Sequence, residues 1–145
     1  MKRIRKSNAG SAAVELAMVL SLLTLLAIGT TDFARVFYAG ITVRSAARAA
    51  VAYGSQDSTT AANYTAMRNA ATADAADVTG VTATATHFCQ CTDGTTVNCT
   101  SGLCSGSAPQ MYVSATATKT FTTIINYPQI PHTVAMNHTA IMRVK

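Results

Sequence analysis

The chain has 145 residues, of which 49% are hydrophobic and only 12% are charged, and it contains no tryptophan. A chain of this length holds one modest domain, and its composition matches neither a disordered acidic tail nor a typical cytosolic enzyme. The formal net charge of +5 does not indicate a nucleic-acid surface, because the basic excess is concentrated before the first apolar run. The basic residues of that leader are Lys2, Arg3, Arg5 and Lys6.

The N-terminal part of the chain predicts a helix that spans a membrane. Residues 1–10 form a polar leader, and residues 11–29 (SAAVELAMVLSLLTLLAIG) carry a single charged side chain, that of Glu15. At about 1.5 Å per residue, this segment approaches the ~30 Å hydrocarbon thickness of a bilayer. The helical pattern continues without proline to Gly54, a residue type that commonly ends helices. We therefore predict one helix over residues 11–54, whose first half lies in membrane lipid and whose second half projects outward.

The rest of the chain, residues 55–145, predicts a small α+β domain. A weakly amphipathic second helix is expected over residues 60–76. Alternating β-branched residues then predict three strands, over residues 77–89, 111–125 and 133–145. A connector that contains Pro128 and Pro131 precedes the last strand, because proline cannot continue a strand ladder. The predicted fold class is α+β: a long transmembrane and projecting helix, a short second helix, and a three-stranded antiparallel sheet with a disulfide-bearing loop.

Four cysteines fall within sixteen residues, at the end of the first predicted strand and in the loop after it: Cys89, Cys91, Cys99 and Cys104. The C-x-C spacing is a poor match to the C-x₂₋₄-C knuckles of zinc sites. An even number of clustered cysteines downstream of an export signal instead indicates two disulfides in an oxidising compartment. Three connectivities are possible. Because Asp93-Gly94 is a turn signal, we favour a nested arrangement, with Cys91 bonded to Cys99 and Cys89 bonded to Cys104.

The boundary between the leader and the apolar run carries the most specific motif. In NAGSAAVE, basic residues lie upstream, Gly10 precedes the apolar run and Glu15 is the fifth residue after it. This arrangement resembles the leader of type IV pilins, which a membrane-embedded aspartyl peptidase cleaves after the glycine. The resemblance implies that Gly10 and Ser11 flank the cleaved bond. It also implies that Glu15 sets the axial register by pairing with the new amino terminus of a neighbouring subunit.

Two other interpretations of the same segment stay open. A conventional secretory signal peptide would have its cleavage site at the small residues near Gly29 and would release a secreted binding module. A plain uncleaved membrane anchor is the other alternative. The position of Glu15 and the continuation of the helix beyond Gly29 speak against the signal peptide.

A second resemblance covers nearly the whole chain. The run TDFARVFYAGITVRSAARAAVAYG is similar to the membrane-exit helix of the TadE-like family, the pilin-like proteins of tight-adherence (Flp-type) pilus systems. The matching residues there are Phe33, Arg35, Phe37, Tyr38, Ala46, Ala47, Arg48, Ala49 and Ala50. Weaker matches follow in CQCTDGTTVNC, Tyr112-Val113, Phe121-Thr122 and Met142-Arg143-Val144.

The resemblance to the TadE-like family implies a structural role in assembly. We expect a minor pseudopilin that is processed by a prepilin peptidase and interacts with other pilin subunits and with the pilus assembly machinery. The leader charges predict a single-pass protein of the bacterial inner membrane with its C-terminal domain in the periplasm.

The sequence contains no recognisable catalytic or cofactor motif. It has no Walker-type loop, no GxGxxG and no nucleophile elbow. The three histidines, His87, His132 and His138, are scattered and lack ligand spacing. We therefore predict no enzyme activity, no metal, no cofactor and no nucleic-acid partner, and an exported hydrolase has almost no support.

Overall fold

The computed structural model describes residues 9–126, 129 and 131–145. The basic leader residues and Pro128 lie outside the described residues. The chain divides into two compact units, the first ending at Arg35 and the second beginning at Val36.

Helix α1 runs from Ala9 to Gly54, 46 residues without interruption, or about 70 Å at the helical rise. It begins two residues before the predicted start and ends at the predicted glycine. Gly54 is buried, and a Cβ atom there would lie 2.7 Å from Sδ and Cε of Met67. The end of the helix therefore packs tightly against a core side chain, that of Met67.

The predicted second helix is divided into two, α2 (Ser58–Ala62) and α3 (Tyr64–Asp74). Asp57 caps α2 by accepting from the backbone N–H of Thr60 at 2.8 Å, and Thr60 Oγ1 accepts from the backbone N–H of Asp57. The break is at Asn63, whose side-chain oxygen accepts from the backbone N–H of Ala66 at 3.0 Å. Short polar side chains satisfy free N–H groups at helix starts in this way. The prediction of one continuous helix over residues 60–76 was wrong because Asn63 starts a new helix.

The sheet has four antiparallel strands where three were predicted. They are β1 (Thr82–Gln90), β2 (Thr96–Val97), β3 (Gln110–Thr122) and β4 (Thr133–Arg143), in the spatial order β2-β1-β3-β4. The missed strand, β2, is only two residues long and lies inside the cysteine loop, where no alternating pattern reveals it. Strand β1 begins five residues later than predicted, because turns occupy residues 76–80.

The core of the second unit lies between the inner face of the sheet and the helices. On β3 every second residue from Val113 to Ala117 is buried, as the period of two in a strand requires. These side chains pack with α1 and with Met67 and Ala71 of α3. The contributing α1 residues are mostly small: Val43, Ala46, Ala47, Ala50 and Val51. Alanine at these positions lets the helix lie close to the sheet.

Candidate functional site

The first half of α1 leaves its large apolar side chains uncovered. Nine of them are at least 48% exposed: Val14, Leu16, Met18, Val19, Leu20, Leu22, Leu23, Leu25 and Leu26. Soluble monomers rarely expose contiguous apolar patches of more than a few hundred Å². The helix is long and apolar enough to cross a membrane, and lipid is a medium that would cover such a surface.

The hydroxyl groups of this segment are satisfied within the helix itself. Ser21 Oγ donates to the carbonyl oxygen of Met18 at 2.8 Å, and Thr24 Oγ1 donates to that of Leu20 at 2.8 Å. Thr31 bonds the carbonyl of Ala27 in the same way. Internal bonds of this kind allow polar side chains to enter an apolar medium at low cost.

Glu15 differs from the hydroxyl-bearing residues of this segment because its side chain carries a charge. Its side chain is exposed, and across the described part of the chain no cation lies within ion-pair distance of its carboxylate. An ionised side chain in lipid is costly unless it finds a partner. The helix places Ser11 and Glu15 four residues apart, on one face.

Gly10 and Ser11 lie in the first turns of α1 and are exposed. A Cβ atom at Gly10 would meet no other atom within 4 Å, and the same is true at Gly29. Side chains can therefore be added at both positions without disturbing the packing of the described residues. The cleavage between Gly10 and Ser11 stays a prediction.

A partly buried ion pair lies further along the helix. Asp32 is only 4% exposed, and Arg35 Nη1 lies 3.0 Å from its Oδ1. The spacing of three residues brings the two side chains together on one helix face.

The four cysteines form two disulfides, but not in the predicted pairing. Cys89 is bonded to Cys99 and Cys91 to Cys104, so the two bridges interleave. The short strand β2 explains the difference, because it pairs Val97 with Cys89 and Thr96 with Gln90. This register brings Cys99 near Cys89, with 5.1 Å between their Cα atoms. Cys91 lies beyond the ladder and reaches Cys104.

The tip of the loop is held close to β2. The backbone N–H of Gly102 donates to the carbonyl oxygen of Asn98 at 2.8 Å, and a Cβ atom at Gly102 would lie 2.7 Å from Cβ of Val97. Glycine is therefore required at this close approach. The next residue, Leu103, is 92% exposed.

The turn that joins β1 to β2 contains a carboxylate with a lowered pKa, that of Asp93. The backbone N–H of Thr95 donates to Asp93 Oδ1 at 2.9 Å, and this bond holds the pKa of the Asp93 carboxyl below its ordinary value of 3.8. A hydrogen bond to the charged form favours that form.

The lowered pKa of Asp93 predicts acid sensitivity of this turn. A carboxyl with a depressed folded pKa contributes stability that is complete above its ordinary pKa and is lost as the pH falls through the lowered one. We expect the amide signal of Thr95 to shift below about pH 4 in a nuclear magnetic resonance titration, and Asp93→Asn to abolish that shift. A midpoint at or above the ordinary carboxyl pKa would contradict the assigned bond.

Two of the three histidines contact a hydroxyl group. Tyr64 Oη lies 2.6 Å from His87 Nδ1, Thr123 Oγ1 lies 2.7 Å from His132 Nδ1, and His138 lies on β4. Over residues 9–126, 129 and 131–145, no group of three or more His, Cys, Asp and Glu side chains is arranged to hold a metal ion.

The chain thus combines an N-terminal apolar helix of membrane length with a small α+β domain, whose two disulfides are consistent with an extracytoplasmic location. Residues 10–52 match the family model described as TadE-like protein. The N-terminal helix is therefore similar to the TadE-like family, as the sequence predicted. The family is associated with Tad pilus assembly and is generally non-enzymatic. No curated protein and no solved structure matched in the corresponding comparisons.

Proposed function

We propose that this chain is a minor pseudopilin of a tight-adherence pilus system, a membrane subunit that a prepilin peptidase processes and that takes part in pilus assembly. The observation that carries the proposal is the coincidence of three features on one helix. The TadE-like match covers nearly all of α1, and the uncovered apolar surface and the exposed Glu15 lie on its first half.

Cleavage after Gly10 would give Ser11 a free, positively charged amino terminus at the start of the apolar helix. The carboxylate of Glu15 requires a cation in lipid, and the Ser11 amine of a neighbouring subunit supplies one. Each such pair would fix how far one helix is displaced along the next. Small side chains in the same segment allow helices to approach closely; they are Ala12, Ala13, Ala17 and Ser21.

The proposed organisation follows from this role. Residues 1–10 are the leader, residues 11–54 form the transmembrane and extended helix, and residues 55–145 form a periplasmic domain. The protein crosses the bacterial inner membrane once. Two disulfides support exposure of the domain to an oxidising compartment, since such bonds are rare in the cytosol.

The proposal is tested by blocking the cleavage site. We expect Gly10→Leu to keep the leader attached, because a bulky side chain next to the cleaved bond obstructs the peptidase. The matched control is Gly29→Leu, which adds the same side chain at a position that is equally free of neighbours. Intact mass spectrometry of protein from membranes is the measurement.

The mass of Gly10→Leu should exceed that of the processed wild type by the mass of the attached leader. Gly29→Leu should be fully processed and should begin at Ser11. If Gly10→Leu matures like the wild type and Gly29→Leu does not, a signal peptidase that cleaves near Gly29 is the processing enzyme. In that case the proposed function is wrong.

A further inference from the structure

The two edges of the sheet differ in how they are protected against pairing with another chain. One edge is β2, which is two residues long and lies between the disulfides. The other edge is β4, which pairs with β3 over eleven consecutive residues. Proteins usually blunt an exposed edge with charges, prolines, bulges or very short strands. Strand β4 has no proline, an unbroken register and a single charge, Arg143, at its end.

The register identifies which backbone groups of β4 face outward. The N–H of Val144 donates to the carbonyl of Met111, and the N–H of Thr123 donates to that of His132. Because hydrogen-bonding direction alternates along an antiparallel ladder, the even-numbered residues of β4 bond to β3. The N–H and C=O groups of the odd-numbered residues, from Thr133 to Arg143, point away from the sheet. Among the described residues, no backbone partner is found for them outside the ladder.

A groove of about 330 Å³ lies beside this edge, between β4 and the second half of α1. Its lining includes Phe37, Ile41 and Arg44 on α1 and Met136, Asn137 and His138 on β4. Phe37 is 64% exposed and Ile41 54% exposed. The groove thus offers an apolar wall along a row of free backbone groups, which is the combination that a strand added to a sheet edge uses.

The charges around the groove indicate what kind of strand fits. Arg44 is exposed, and over the described range no carboxylate lies within ion-pair distance of it. Neither β4 nor residues 36–54 contain an Asp or a Glu. A strand of a second copy of β4 would bring no carboxylate to Arg44 and would add another Arg143.

We propose that the β4 edge and this groove form a docking site for an extended segment of another protein that carries apolar side chains and a carboxylate on the face toward Arg44. The added segment hydrogen-bonds to the odd-numbered residues of β4 and extends the sheet by one strand. Its apolar side chains cover Phe37 and Ile41. This site is independent of leader cleavage and of the Glu15 pairing.

The test uses the full chain in lipid nanodiscs and a fluorescent heptapeptide with blocked termini. Its sequence is TVTETVT, so the two valines and the glutamate lie on one face of the strand. A second peptide has lysine in place of glutamate. We expect the glutamate peptide to bind about tenfold more tightly by fluorescence anisotropy. Hydrogen exchange should show new protection at the amides of Ala135, Asn137, Thr139 and Ile141.

Matched variants separate the backbone from the charge contribution. Asn137→Pro removes one outward N–H and should abolish binding, whereas Asn137→Ala keeps that N–H and should still bind the peptide; proline is tolerated on edge strands. Arg44→Glu should reverse the preference to the lysine peptide, which keeps the test informative if the proline variant unfolds.

Equal binding of the two peptides by wild-type protein would overturn the proposal, as would equal binding by the two Asn137 variants. Protection of the same β4 amides without peptide, accompanied by dimerisation, would assign the edge to a second copy and would also overturn it.

Discussion

Glu15→Leu is expected to abolish lateral association of subunits while cleavage between Gly10 and Ser11 continues. The substitution removes the only carboxylate of residues 11–29 and leaves the neighbour's amine without a partner in lipid. Removing one member of a charge pair from a low-dielectric medium costs several kcal/mol, so we expect association to fall about 100-fold or more.

Two further variants show whether the charge or the size of residue 15 matters. Glu15→Gln has nearly the same volume but no charge and should behave like Glu15→Leu, whereas Glu15→Asp keeps the carboxylate and should retain part of the association. Cross-linking of two differently tagged copies in membranes measures the effect. If Glu15→Leu matures normally and is cross-linked to the same extent as the wild type, the carboxylate has no role in assembly.

Loss of the disulfides is the second change for which we expect a large effect, here a decrease in the stability of the folded domain. Removing Cys91–Cys104 by a double alanine substitution should cost about 2–3 kcal/mol of unfolding free energy, since its loop is short. Removing Cys89–Cys99 should cost more, about 3–5 kcal/mol. The reason is that Cys89 is 3% exposed and its truncation also leaves a void in the packing. Chemical unfolding of the full chain in detergent measures both values.

The connectivity itself is tested by counting thiols in double variants. Cys89→Ala with Cys99→Ala leaves Cys91 and Cys104, which should form their bridge and leave no free thiol. Cys91→Ala with Cys99→Ala leaves Cys89 and Cys104, which belong to different bridges, and should leave two free thiols. The opposite pattern of thiols would restore the nested pairing that the sequence favoured.

The elements of the fold that depend on local pattern were predictable from the sequence. An uninterrupted run without proline predicts α1, and the glycine predicted as its end is the residue where the structure ends it. The long strands β3 and β4 follow from β-branched residues in alternation. Asn63 was not recognised as a break, because the helical pattern of its neighbours is continuous and only the cap on Ala66 reveals it.

The features that depend on register were not predictable. Which cysteines meet is decided by two residues of β2 that pair with Cys89 and Gln90, and so short a strand has no sequence signal. The docking groove likewise arises because the register of β4 against β3 leaves the odd-numbered backbone groups outward while Met136 and His138 line the groove. The proposed roles of Gly10, Ser11 and Glu15 rest on their spacing along one helix and stay predictions.

The mature N-terminus, determined by intact mass spectrometry and N-terminal sequencing of protein purified from membranes, tests the central claim most directly. A chain that begins at Ser11 is the predicted result. A chain that begins at Thr30, or that retains Met1 and the complete leader, would contradict processing of this protein as a pilin-like subunit.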